Sequence, residues 1–94
     1  MNDTNLLLGS ISNDLFRVVS LFCRGSSTSS IKFLHEAKKW SMQVDNQKIP
    51  QYIAKIITKI NNNEIENLEI DAEDYLMYAI LLQNYTLQNI KNQS

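Results

Sequence analysis

Ninety-four residues, 44% of them apolar and with only two Gly and one Pro, suffice for one folded domain, residues 1–94, rich in long regular elements. A single cysteine excludes an internal disulfide framework, and a net charge of −1 argues against general affinity for nucleic acid. The start MNDTNLLLGSISND has no basic n-region, and the longest unbroken apolar run, Tyr75 to Leu82, has eight residues where about 20 cross a bilayer; the expectation is a cytoplasmic chain with no membrane span.

Periodicity predicts four helices. The first covers residues 4–24, with Leu7, Leu8, Ile11, Leu15, Val18, Val19 and Phe22 on one stripe and Ser10, Asn13, Asp14, Arg17 and Arg24 on the solvent side. Gly25 is placed to end it, since glycine suits the left-handed residue that follows many helices. The second covers residues 30–45 and opens on a Ser/Thr cluster able to accept hydrogen bonds from free amides. Its core stripe is Phe33, Leu34, Ala37, Trp40, Ser41 and Val44, with Ile31, His35, Lys38 and Met42 on the reverse.

The third helix, residues 50–62, begins at Pro50 and carries the cleanest stripe: Ile49, Tyr52, Ile53, Ile56, Ile57 and Ile60. Spacings of three and four, rather than two, reject a strand despite the many isoleucines. Residues 61–70 form a polar connector holding Ile65, Leu68 and Ile70. The last helix, residues 71–91, has Asp71 as cap and Glu73 and Asp74 in its first turn, where the helix dipole favours acids. The fold class is therefore an all-α four-helix bundle.

Candidate chemistry is sparse. Cys23 and His35 could in principle make a thiol–imidazole pair, but they fall on different sides of their helices and no third group orients the imidazole. A packed cysteine and a surface histidine are expected, and no catalytic activity. The acidic run Glu64, Glu66, Glu69, Asp71, Glu73 and Asp74 lacks the glycine and ligand spacing of a calcium loop, so no metal or other cofactor is implied.

Charge is divided along the chain. Residues 24–60 hold seven basic side chains against two acidic, and residues 61–94 six acidic against one basic. Lys48, Lys55 and Lys59 share one side of the third helix and its approach, which gives the alternative reading: a helix-turn-helix nucleic-acid binder with the third helix in the major groove. Against it stand the absence of a compact glycine-containing turn and of any Arg on that helix for guanine readout.

The last helix carries the preferred reading. Its wheel has two apolar sides, one of Ala72, Tyr75, Leu76, Ala79, Leu87 and Ile90 with Ile80 flanking, the other of Met77, Tyr78, Leu81, Leu82 and Tyr85. A bundle helix buries one stripe, so the side formed by Met77, Tyr78, Leu81, Leu82 and Tyr85 is expected to meet a second chain, or else the 61–70 connector. The sequence thus points to an interaction or regulatory module that forms a homo-oligomer or binds a protein partner through this helix.

Overall fold

The computed structural model describes residues 3–62 and 68–92, with side chains over 3–62 and 72–90. Four helices follow in order: α1 Asp3–Cys23, α2 Ser27–Ser41, α3 Gln51–Asn62 and α4 Leu68–Asn92. A 3-10 turn, Asn46–Lys48, lies between α2 and α3, and there is no strand among the described residues. The fold class read from periodicity is the one the chain adopts.

The end of α1 shows how local chemistry sets a boundary. Gly25 takes φ +82°, its N–H donates to Phe22 O at 3.0 Å, and the N–H of Ser26 donates to Leu21 O at 2.9 Å. Those two bonds are the paired closure of a Schellman motif, which satisfies carbonyls the helix would otherwise leave open. The next helix starts at Ser27, three residues earlier than its apolar stripe suggests. Its N-cap is Ser26, without a side-chain cap bond, and another serine of the cluster bonds elsewhere. Ser30 is fully buried and its Oγ donates to Val18 O at 2.8 Å, bonding α2 to α1.

At its other end α2 stops at Ser41, short of residue 45. Asp45 caps the following 3-10 turn by accepting the N–H of Gln47 at 2.9 Å, a competing local bond of the kind that favours turns over helix. Pro50 then starts α3 by accepting the N–H of Ala54 through its carbonyl at 3.0 Å.

α1 lies between α2 and α4 and is antiparallel to both. Toward α2, the Ser30–Val18 bond near one end is matched by Trp40 beside Leu6, Leu7 and Ser10 near the other. Toward α4, Ser12 Oγ donates to Ala79 O at 2.7 Å, Asn5 Nδ2 to Thr86 O at 3.4 Å, and Asn89 Nδ2 to Asn5 Oδ1 at 3.1 Å. By these registers Ser41 and Tyr85 both lie level with Leu6 and Leu7. α3 touches both, since Asn61 bonds Ser41 and the Tyr52 ring meets Tyr85 edge-on with centroids 6.3 Å apart. It therefore crosses that end of the bundle from α4 to α2. Leu8, Ile11, Leu15 and Val18 of α1, Leu34 and Ala37 of α2, the four α3 isoleucines, and Tyr75, Tyr78, Ala79 and Leu82 of α4 make the core.

Lys38, expected on the outer side of α2, instead reaches the C-terminus of α3. Its Nζ donates to Ile60 O at 2.7 Å and to Asn61 O at 3.4 Å, carbonyls that have no intrahelical donor. Burial lowers its pKa below the usual lysine value. Ile31, from the same supposed outer side, packs partly against the core. Tyr52 departs the other way: it lies on the α3 stripe yet stays 51% exposed, held by its edge contact with Tyr85.

α1 is also long and apolar enough, by length and composition, to cross a membrane, which counting unbroken runs misses because serines and charged residues punctuate it. In this fold it is the central core helix, with four residues at zero exposure.

The two glycines give opposite expectations. A Cβ added to Gly9, inside α1, would meet nothing within 4 Å. Gly9→Ala should stabilise the chain by about 0.5 to 1 kcal/mol through helix propensity alone. Gly25→Ala, forced into a left-handed conformation, should cost about 1 to 2 kcal/mol. Urea unfolding of both variants checks the pair, and shifts of the same sign would contradict it.

Candidate functional site

The wheel's division of α4 into two apolar sides is not the division the fold makes. The inward stripe is Tyr75, Tyr78, Ala79, Leu82, Tyr85, Thr86 and Asn89, spaced by threes and fours and drawing on both sides. Tyr78 and Leu82, expected at a partner interface, are buried in the chain's own core, and Tyr85 is half-buried against it. Leu76, expected inside, is exposed. An apolar helix without a polar side offers no moment to choose a face by. A polar rung goes with the rotation adopted: Asn89 Nδ2 donates to Asn5 Oδ1, and Asn5 Nδ2 to the backbone carbonyl of Thr86.

That rotation leaves Leu76, Met77, Ile80, Leu81, Leu87 and Ile90 on the outer half of α4, with exposures from 36% at Leu81 to 57% at Ile90. Leu6 of α1, also exposed, lines a shallow groove with Gly9, Thr86 and Ile90, which extends the apolar surface past the helix edge. Gln83, Asn84 and Gln88 lie among these residues, as do Glu73 and Asp74 near the start. Two of the five residues expected at an interface, Met77 and Leu81, belong to this outer surface. Of the connector expected over 61–70, residues 61–62 belong to α3 and 68–70 to α4, so Asp71 lies inside the helix rather than capping it; whether Ile65, Leu68 or Ile70 adds to this face lies outside the described side chains.

The other candidate residues are dispersed. Cys23 is exposed at the end of α1 rather than packed, and His35 is exposed on α2. The α1–α2 register sets His35 level with Asn13, so about ten residues, or roughly 15 Å along the helix, separate it from Cys23. Lys48, Lys55 and Lys59 are all exposed, but the α2–α3 connection runs from Met42 to Pro50 with its own 3-10 turn, longer than the turn of a helix-turn-helix. Of the acidic run, Glu73 and Asp74 are exposed, and the side chains of Glu64, Glu66, Glu69 and Asp71 lie outside those described.

Asp14 is a site the sequence did not reveal. Assigned to the solvent side of α1, it is 5% exposed, and its Oδ2 is buried with no hydrogen-bond partner. Glu36 of α2 approaches it and shares a hydrogen bond. Glu36 is itself held by Trp40, whose Nε1 donates to Oε1 at 3.2 Å. Desolvation, then the charge and hydrogen bond of Glu36, raise the Asp14 pKa to about 6, while Arg17 pulls the other way. Arg17 is itself stacked over Phe33, 5.2 Å from the ring centre. A raised acid can serve as a proton donor, but Asp14 does not line the depression beside Trp40, the one around Leu87 or the groove at Leu6 and Ile90. Its geometry is that of a buried carboxyl beside a second carboxyl.

Compared with known protein families, with curated proteins and with solved structures, the chain matches none.

The Asp14 environment predicts an unusual pH dependence. A folded pKa of about 6, above the unfolded 3.8, means this group favours the fold fully below pH 3.8, and that contribution is lost as pH rises through 6. Asp14→Asn should stabilise the chain at pH 7 by about 1 to 2 kcal/mol, allowing for partial screening, and flatten the stability profile between pH 4 and 6. Denaturant titrations across that range check it; a variant that loses stability at pH 7 would contradict it.

Proposed function

We propose that this protein is a helical interaction module that self-associates through the outer face of α4, and that it acts by assembly rather than catalysis. The observation that carries the reading is one helix presenting six large apolar side chains to solvent while its opposite side fills the core. Single exposed apolar residues are ordinary on a protein surface. Six on one helix, continued by Leu6, form a patch toward the upper end of what a monomer exposes, where such patches are often functional.

The composition of the face fits that role. Leucine, isoleucine and methionine are interspersed with the amides of Gln83, Asn84 and Gln88, with Glu73 and Asp74 at one end, a mixed surface of the kind non-obligate interfaces use. Tyr75, Tyr78, Ala79 and Leu82 fix the helix from behind, so the face is presented on a rigid element and little order is lost when it docks.

Association through this face stabilises the folded state by mass action, so the unfolding midpoint should rise with protein concentration. Ile80→Asp should abolish that dependence while leaving the helical content and the dilute-solution midpoint close to the wild type, because Ile80 is outside the core. Tyr78→Asp should instead unfold the chain. Thermal melts over a hundredfold concentration range separate these outcomes, and a wild-type midpoint independent of concentration would overturn the reading.

A further inference from the structure

We propose that the occupant of this face is a second copy of the chain, bound through α4 in antiparallel orientation along one heptad seam; this rests on the reading of α4 as a docking helix. Leu76, Ile80, Gln83, Leu87 and Ile90 follow one another at intervals of four, three, four and three, and all five are exposed. That alternation averages 3.5 residues, the repeat that keeps a stripe facing a neighbouring helix over several turns. The core stripe of the same helix is separate from it, so α4 carries two seams, and the fold fills one.

Area decides between a chance exposure and a usable contact. From their fractional exposures, the four apolar seam residues with Met77 and Leu6 hold on the order of 500 Å² of accessible surface per copy, near the upper end for a monomer's largest patch. Two copies together reach the ~1,000 Å² that a specific interface needs, the low end of the range, which corresponds to micromolar rather than nanomolar association. The seam runs about 21 Å from Leu76 to Ile90, long enough for four layers of contact.

Orientation follows from charge. By sequence α4 carries Glu69, Asp71, Glu73 and Asp74 in its first two turns, no carboxylate after them, and a lone Lys91 in its last turn. A parallel pair sets two acidic ends side by side and aligns two helix dipoles. An antiparallel pair sets each acidic end beside the other copy's basic end and opposes the dipoles. Packing Leu76 against the other copy's Leu87, and Ile80 against its Gln83, places the two-fold axis near Leu81 and leaves Gln83 as the polar residue within the seam. A polar residue there selects register at a cost in affinity.

Two measurements test this. Sedimentation velocity should show a monomer–dimer equilibrium in the micromolar range, shifted at least tenfold toward dimer by Gln83→Leu and to monomer by Leu87→Asp. In a Cys23→Ser background carrying Leu76→Cys and Leu87→Cys, mild oxidation followed by peptide mapping should give a cross-link from position 76 of one copy to position 87 of the other. Within one chain those positions are about 16 Å apart along the helix and cannot be bridged. Cross-links of 76 to 76 and 87 to 87 would overturn the antiparallel arrangement while leaving α4 as the docking helix. A wild-type monomer throughout the micromolar range, or a dimer indifferent to Leu87→Asp, would overturn both.

Discussion

The fold depends on α1 being enclosed from two sides, and small hydroxyl side chains make that enclosure possible. Ser12 on α1 and Ser30 on α2 are essentially fully buried, and each donates to a backbone carbonyl of the neighbouring helix at 2.7 and 2.8 Å. A buried hydroxyl without a partner would be costly, so these bonds do more than add their own modest net energy: they exclude registers in which the hydroxyls would be orphaned. The facing residues are small, Ala79 opposite Ser12 and Ala37 further along α2, which lets Leu8, Ile11, Leu15 and Val18 interleave with both neighbours. α3 then closes the remaining side at one end, tied by the Lys38 bonds to its last carbonyls.

Against that background Asp14 is a cost the fold carries. It occupies the same helix and the same degree of burial as Ser12, but its carboxyl meets another carboxyl rather than a donor, and one oxygen has no partner. Burial and the neighbouring carboxyl both favour the protonated form, which pushes its pKa up to about 6. In a chain of this size, where net stability is only about 5 to 15 kcal/mol, a single such site is large enough to shape the pH profile of the whole domain.

Helix number, order and most of the core were legible because three of the four helices have one apolar side, and the C-cap at Gly25 because only a left-handed residue suits that corner. Four things were not. Asp14 and Lys38 sit on the flanks of their stripes, where periodicity does not say whether a neighbour arrives; burial there is decided by helix crossing, a property of pairs. Ser30 belongs to a cluster that reads as capping from composition, yet the local geometry makes Ser26 the cap and releases Ser30 to bond α1. The face of α4 could not be chosen from hydropathy, because the run from Tyr75 to Leu82 is apolar in every direction. The usable signal was further along, in Asn89, whose side-chain amide donates to Asn5 Oδ1 on α1, while Thr86 accepts from Asn5 only through its backbone carbonyl.

The outward apolar half of α4 follows from lengths. α3, with 12 residues, spans about 18 Å, while α4, with 25, spans about 37 Å. α1 runs along α4 on one side and α3 crosses it near one end. Among the described residues no element reaches the opposite side, and none can be spared to do so. An all-round apolar helix is nevertheless what the sequence supplies, and each large aliphatic group left in water forgoes part of the ~1.5 to 3 kcal/mol that complete burial would contribute. Positions 76, 80, 87 and 90 lie outside the stripe that fills the core and are 40% to 57% exposed, so the core itself does not call for large aliphatic groups there. Leucine and isoleucine at those positions, in heptad spacing, are what the proposed pairing of two α4 helices would use.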